Sequence, residues 1–341
     1  MSGQRKDHDS VAGVRQDRRP RPSTVSERMQ SPAGAVAVEP EHAGPRISRR
    51  TRETLAAYGF LSPWLVGLLG LTLGPMIYSL YLSFTRYNLL TPPQWRGLVN
   101  YRTMLHDPRF LSSVGVTLKY AVIAVPAILV VSLAVAMILN QGMRFLSLYR
   151  AAFYLPSLVG ASVAVSLLWR QMFGGDGVVN SALEAVGITG RTWIGDPKTA
   201  LYTLILLSVW TFGAPMIIFL AGLRQVPKEL YEAAEVDGAG RVRRFVSVTL
   251  PMISPLIFFN VLLTTVNALQ AFTPAYVVSN GTGGPADSTL FYTLYLYQRG
   301  FTRLDMGYAS AMAWVLVVVL AVFTAVMFAT ARFWVYYGDE R

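Results

Sequence analysis

The spacing of charges constrains this chain more than any other feature. Six stretches carry no Asp, Glu, Lys or Arg: 54–85, 120–143, 151–169, 199–223, 245–286 and 306–331. A helix of about 20 apolar residues crosses a bilayer, and a charge at its centre is costly. Each gap therefore predicts a membrane span. The fifth gap opens with Pro251 and Pro255 and closes with NGTGGP at 280–285. Two helices would leave no room there for a hairpin connection, so one helix and an uncharged loop are expected. The predicted spans run over about 57–85, 120–141, 151–172, 200–223, 251–273 and 307–331, an all-α integral membrane bundle. Composition agrees: 53% of the 341 residues are apolar and 14% charged, against about 25% charged in a soluble domain.

The remaining charge is unevenly placed. Residues 1–53 hold 11 of the 30 basic and 7 of the 19 acidic residues. This stretch is rich in Pro, Ser, Arg, Gly and Ala and has no apolar period, so it reads as a disordered tail ahead of a six-span domain over 54–337. With the N-terminus inside, cytoplasmic segments carry 20 Lys and Arg and outer segments 10. That bias predicts both termini in the cytoplasm. The formal charge of +11 mixes acids with bases in the tail, which points to the lipid surface or solvent rather than to nucleic acid.

Several chemistries are excluded. There is no cysteine, so no disulfide or thiolate site. His8 and His42 lie in the tail and His106 between two spans, leaving no histidine pair for a metal or a proton relay. None of Lys6, Lys119, Lys198 and Lys228 follows a glycine, so no phosphate-binding GxxxxGK[ST] loop exists. No catalytic set, metal site or cofactor is expected, and the gaps lack an ionisable group for a driving proton. Pro63, Pro75, Pro126, Pro156 and Pro215 lie in the spans. Breakers of this kind suit helices beside an aqueous pathway, or simple packing kinks.

The loop over 224–250 reads RQVPKELYEAAEVDGAGRVRRFVSVTL, ahead of Pro251. Pro227 suits a helix start, Glu229 and Glu232 favour the positive end, and Gly238 suits its stop. Ala233 and Ala234 give a small-residue face, and Arg241, Arg243 and Arg244 begin a second short helix. An elbow bent at glycine results, acidic first and basic second. It either plugs into a groove on a partner or lies solvated.

Glu232, Ala233 and Ala234, then Gly238, Val248, Leu250 and Pro251 at their spacing, resemble the EAA loop of ABC-type import permeases, with valine where isoleucine is usual. The resemblance covers about 56–337 and is similar in order to the compact six-span sugar permeases of the maltose and glycerol-phosphate class. FLSPWLVG at 60–67, GLVNYRTMLHDPRF at 97–110, RAAFYLP at 150–156, LLWRQMF at 167–173 and GTGGPADSTLFYTLYLYQRGF at 281–301 with MGYASA at 306–311 carry it.

That resemblance implies a type I ABC importer permease that pairs with a second, different permease subunit. Two cytoplasmic ATP-binding subunits would drive it and an extracytoplasmic binding protein would deliver the solute. Glu232 would pair with an ATPase arginine, Gly238 allow the bend, and Asp237 and Arg241 fix the loop. A carbohydrate site needs amides, hydroxyls and aromatic faces. Asn260, Thr264, Asn267 and Ala271 repeat at helical spacing, with Gln270 beside them, and in maltose-type relatives this stretch supplies solute contacts. Ala268 and Ala271 depart from that pattern. The Asn and Thr groups serve either a solute or interhelical bonds; Trp210, Phe212 and Trp169 either stack on a sugar or anchor at the interface. The competing function is a membrane scaffold that binds a soluble partner through the same loop without transport.

Overall fold

The computed structural model describes residues 49–142, 144–160 and 162–336. Most of the expected tail, with His8 and His42, lies outside them. The chain divides at Ser62–Pro63 into two units, and the bundle belongs to the second.

Helix α1 (Arg49–Val66) runs through a π-helical stretch, Gly67–Leu73, into α2 (Gly74–Ser83). Pro75 has no N–H to offer the preceding turn, which widens to accommodate it. A two-residue pairing of β1 (Thr85–Arg86) with β2 (Gln94–Trp95) precedes α3 (Val99–His106). Helix α4 (Pro108–Leu139) follows, then α5 (Leu146–Val159), α6 (Val163–Met172) and the short α7 (Val178–Glu184). Next come α8 (Ala200–Trp210), α9 (Gly213–Leu223), α10 (Lys228–Val236), α11 (Arg241–Arg244) and α12 (Leu250–Met252). The chain closes with α13 (Ser254–Leu269), α14 (Thr273–Val278), α15 (Tyr292–Tyr297) and α16 (Met306–Trp334). Among the described residues, four helices are long and apolar enough to cross a membrane. The count rises to six if α5 with α6 and α8 with α9 each form one bent span.

Three helix limits differ from those the charge gaps predict. Helix α4 starts at Pro108 rather than near 120, with Asp107 as its N-cap. At 32 residues it is about 48 Å long, well beyond a hydrocarbon core of about 30 Å, so a helix of this length has room for Arg109 and Lys119 in its first 12 residues and an apolar span after them. The third span is not one helix over 151–172 but two: α5 ends at Val159 and Ser162 caps a new start, its Oγ accepting from Val165 N at 3.3 Å. The fifth is interrupted at Ile253 and again at 270–272, and continues to Val278.

Helix α4 is the central post, with α8, α9, α13 and α15 packed around it. Its buried stripe, Ala124, Ile128, Ser132, Ala136 and Leu139, repeats mainly at every fourth residue, and its small members let neighbouring backbones approach. One core, with Leu204, Leu294, Tyr295 and Tyr308, gathers around the first half of α4. A second, with Met216, Phe219, Leu220 and Ile253, gathers around its last turns. Gly213 shows how close the approach is: a Cβ there would lie 2.2 Å from Phe153 O.

The α8–α9 break, bent by 44°, leaves backbone groups without intrahelical partners. Neighbouring hydroxyls satisfy them, as apolar surroundings require. Ser132 Oγ adds a further bond at the break, sharing its proton between Ile128 O (2.6 Å) and Phe212 O (2.9 Å), the latter already accepting from Met216 N (3.1 Å). Ser157 Oγ donates to Thr211 O (3.1 Å) and accepts from Ala214 N (3.0 Å).

At the end of α13 opposite α12, an interlocked junction forms on Asp107. Its carboxylate caps α4 by accepting from Arg109 N (3.0 Å) and Phe110 N (3.3 Å), and accepts from Tyr295 OH (2.5 Å) and Tyr308 OH (2.9 Å). Burial acts to raise the Asp107 pKa, but these four hydrogen bonds outweigh it and hold the carboxyl below its ordinary value. The Tyr295 hydroxyl is pushed up to about 12, by burial and then by its bond to Asp107. Arg109 grips Asp287 with two bonds, of 2.9 and 2.7 Å.

Candidate functional site

A cavity of about 560 Å³ opens where the three helix breaks converge. Ser157 and Gly160 come from the α5–α6 break, and Ser208, Thr211 and Pro215 flank the α8–α9 break. Thr264, Asn267, Gln270 and Phe272 come from the end of α13. Tyr120 of α4 completes the wall and is hydrogen-bonded to Ser208 Oγ. Every polar group named on this wall is a hydroxyl or an amide. Such a lining suits a neutral solute with several hydroxyls and would give an ion no counter-charge.

Of the residues selected from the sequence, Thr264, Asn267 and Gln270 line this cavity. Asn260 does not: it is buried two turns earlier and donates to Leu256 O within its own helix (3.0 Å). Trp169, Trp210 and Phe212 also stand off the wall. Trp169 is locked by donating from Nε1 to Thr203 O (2.9 Å) and lies beside Trp210, with ring centres 6.5 Å apart. Phe212 packs on Phe153 in the second core. Sequence reasoning missed Tyr120, Ser157, Ser208, Thr211 and Phe272. Pro156 and Pro215, read as breakers, were the available signal, because hydroxyl residues collect beside broken turns.

The elbow over 224–250 is built locally. Pro227, with φ −58° and ψ 135°, sits at the N-cap of α10. Gly238 ends the helix at φ +74°, a left-handed conformation that glycine adopts without penalty. Gly238 N donates to Glu235 O (3.0 Å) and Ala239 N to Ala234 O (2.8 Å), the paired closure of a Schellman motif. Arg241 opens the second helix, which passes through a π-helical turn, Phe245–Thr249, into Leu250 and Pro251. Two side-chain contacts link the arms: Tyr231 OH with Thr249 Oγ1 (3.0 Å) and Arg244 with Glu235 (2.9 Å). Glu232, Ala233, Asp237 and Arg241 are exposed, Ala234 and Leu250 half-buried. Val236 and Val242 are 88% and 78% exposed. A bent acidic ridge with bare apolar side chains is suited to a protein partner.

Apolar helices broken around a neutral cavity, with a protruding elbow before the fifth span, define a multi-pass membrane permease. The chain belongs to the family of binding-protein-dependent transport system inner membrane components, which its residues 97–335 match. It is 50% identical over 291 residues to a probable ABC transporter permease protein, YesP, of Bacillus subtilis, covering 85% of this chain and 94% of that one. It is 34% identical to the lactose transport system permease protein LacF of Rhizobium radiobacter, over 84% and 99% of the two chains. A chain in the crystal structure of a bacterial alginate ABC transporter, in complex with an alginate pentasaccharide-bound periplasmic protein, superposes with a TM-score of 0.72. That match covers 84% of this chain and 97% of the other at 21% identity, a likeness of fold.

Proposed function

We propose that this permease subunit passes a carbohydrate, an oligosaccharide or related polyol, inward through a pathway shared with a second, different permease subunit. An extracytoplasmic binding protein delivers the solute and two cytoplasmic ATP-binding subunits power the cycle. Both termini and the elbow face the cytoplasm, and the subunit catalyses no reaction of its own. The lactose relative and the hydroxyl-and-amide cavity support the carbohydrate class. The observation that carries the mechanism is the elbow: a preformed, exposed bend that continues through Leu250 and Pro251 into the span lining the cavity. Closure of an ATPase cleft around α10 would move α13 as a rigid lever. A scaffold would need the elbow but has no use for the cavity.

Glu232→Lys tests this. The side chain is exposed, so the variant should insert and assemble normally while solute-stimulated ATPase activity and uptake fall at least tenfold. Wild-type transport rates in that variant would remove the coupling role.

A further inference from the structure

A second cleft, of about 530 Å³, lies at the Asp107 junction. Arg102 and His106, one turn apart on α3, line one side, and Arg299 and Arg303, also one turn apart, line the other. Arg109 stands between them but is occupied by Asp287. Arg299 is partly occupied: one Nη donates to Asp305 (2.8 Å) and its plane lies 3.9 Å over the Tyr308 ring, while its Nε is buried without an acceptor. Arg102 and Arg303 are exposed, and among the described residues neither guanidinium has an acidic partner. The acid in the cleft, Asp107, has its oxygens engaged by the two tyrosines and the helix cap. The cleft therefore holds unspent cationic donors on a fixed floor.

We propose that this cleft is the socket for an acidic side chain on the binding protein, whose carboxylate enters between Arg102 and Arg303. This rests on the import function proposed above and assigns a surface and a chemistry to its outer partner. Three features favour that occupant. Guanidinium groups match a carboxylate bidentately. The cleft shares no lining residue with the uncharged cavity, so the anion that fills it is not the solute in transit. Four of its lining residues are arginines, and the Tyr295 ring and the His106 imidazole are its only aromatic members, a wall better matched to an anionic side chain than to an acyl chain. The socket also has mechanical reach, since Asp107 caps α4, whose Tyr120 stands on the cavity wall.

The test uses the complete transporter in nanodiscs of neutral or anionic phospholipid, titrated with its own binding protein. Arg102→Glu with Arg303→Glu should weaken binding-protein affinity at least tenfold and reverse its salt dependence, because salt then screens a repulsion, leaving basal ATPase activity unchanged. Arg102→Gln with Arg303→Gln, which removes charge without adding repulsion, should give a smaller loss in the same direction. An Asp→Lys or Glu→Lys change on the binding protein that restores affinity to the Glu variant would identify the inserted residue. Affinity within twofold of wild type in both double variants overturns the socket. A loss confined to anionic nanodiscs also overturns it and assigns the cleft to a lipid headgroup. Failure of the wild-type transporter to respond to the binding protein would instead overturn the import function beneath it.

Discussion

The elbow and the Asp107 junction both connect spans through polar side chains, yet they are built on opposite plans. At the junction, one carboxylate receives four donors from α4, α15 and α16, and Arg109 and Asp287 interlock beside it. At the elbow the backbone closes its own turns, while Glu232, Asp237 and Arg241 remain exposed to solvent. Groups satisfied within the chain contribute stability; groups left open contribute recognition. The contrast predicts that equal chemical insults at the two places give very different readouts.

Asp107→Ala should have the largest effect. It removes a helix cap and strands two tyrosine hydroxyls, a cost of about 2–4 kcal/mol, visible as a clear fall in the midpoint of thermal unfolding of the solubilised protein. Acid should weaken the same point in the wild type. Because the folded-state pKa of Asp107 is lowered, its contribution is fully present above an unfolded value of about 3.9 and is lost as pH falls through the folded value. The unfolding midpoint of Asp107→Asn should therefore vary less between pH 5 and pH 3 than that of the wild type. An identical pH profile in the two would break the contrast.

Gly238→Ala should come next. A side chain at φ +74° costs about 1–2 kcal/mol, confined to the elbow. Exchange of the Ala239 amide should speed up roughly tenfold while the unfolding midpoint of the bundle holds. Smallest is Glu235→Gln, which breaks the pair with Arg244. Glu235 is 71% exposed, and such pairs contribute under about 1 kcal/mol, so stability should be unchanged within error in a thermal melt. A large loss there would mean that the elbow is held like the junction after all.

How far the sequence discloses these regions follows the range of the interactions. Charge gaps mark the apolar helices because bilayer cost acts residue by residue. Pro227 and Gly238 mark the elbow because its turns close within six residues. Thr264, Asn267 and Gln270 share a helix face, and that face lines the cavity. By contrast, the start of α4 at Pro108 is hidden by Lys119, since a single charge ends a gap without ending a helix. Tyr295 and Tyr308 lie 188 and 201 residues from Asp107, and no local pattern joins them. The remaining cavity wall, with Ser157, Ser208 and Thr211, depends on where broken helices meet. Asn260 fits the periodicity yet turns inward to its own backbone.

Ser132 has a consequence for motion. Its single hydroxyl proton already divides itself between a carbonyl on its own helix and one on the α8–α9 break. If the lower half of that span swings, the proton settles on either acceptor without a bare polar group facing hydrocarbon. A tilt at the break need not expose a donor to oil, because the hydroxyl keeps an acceptor on its own helix.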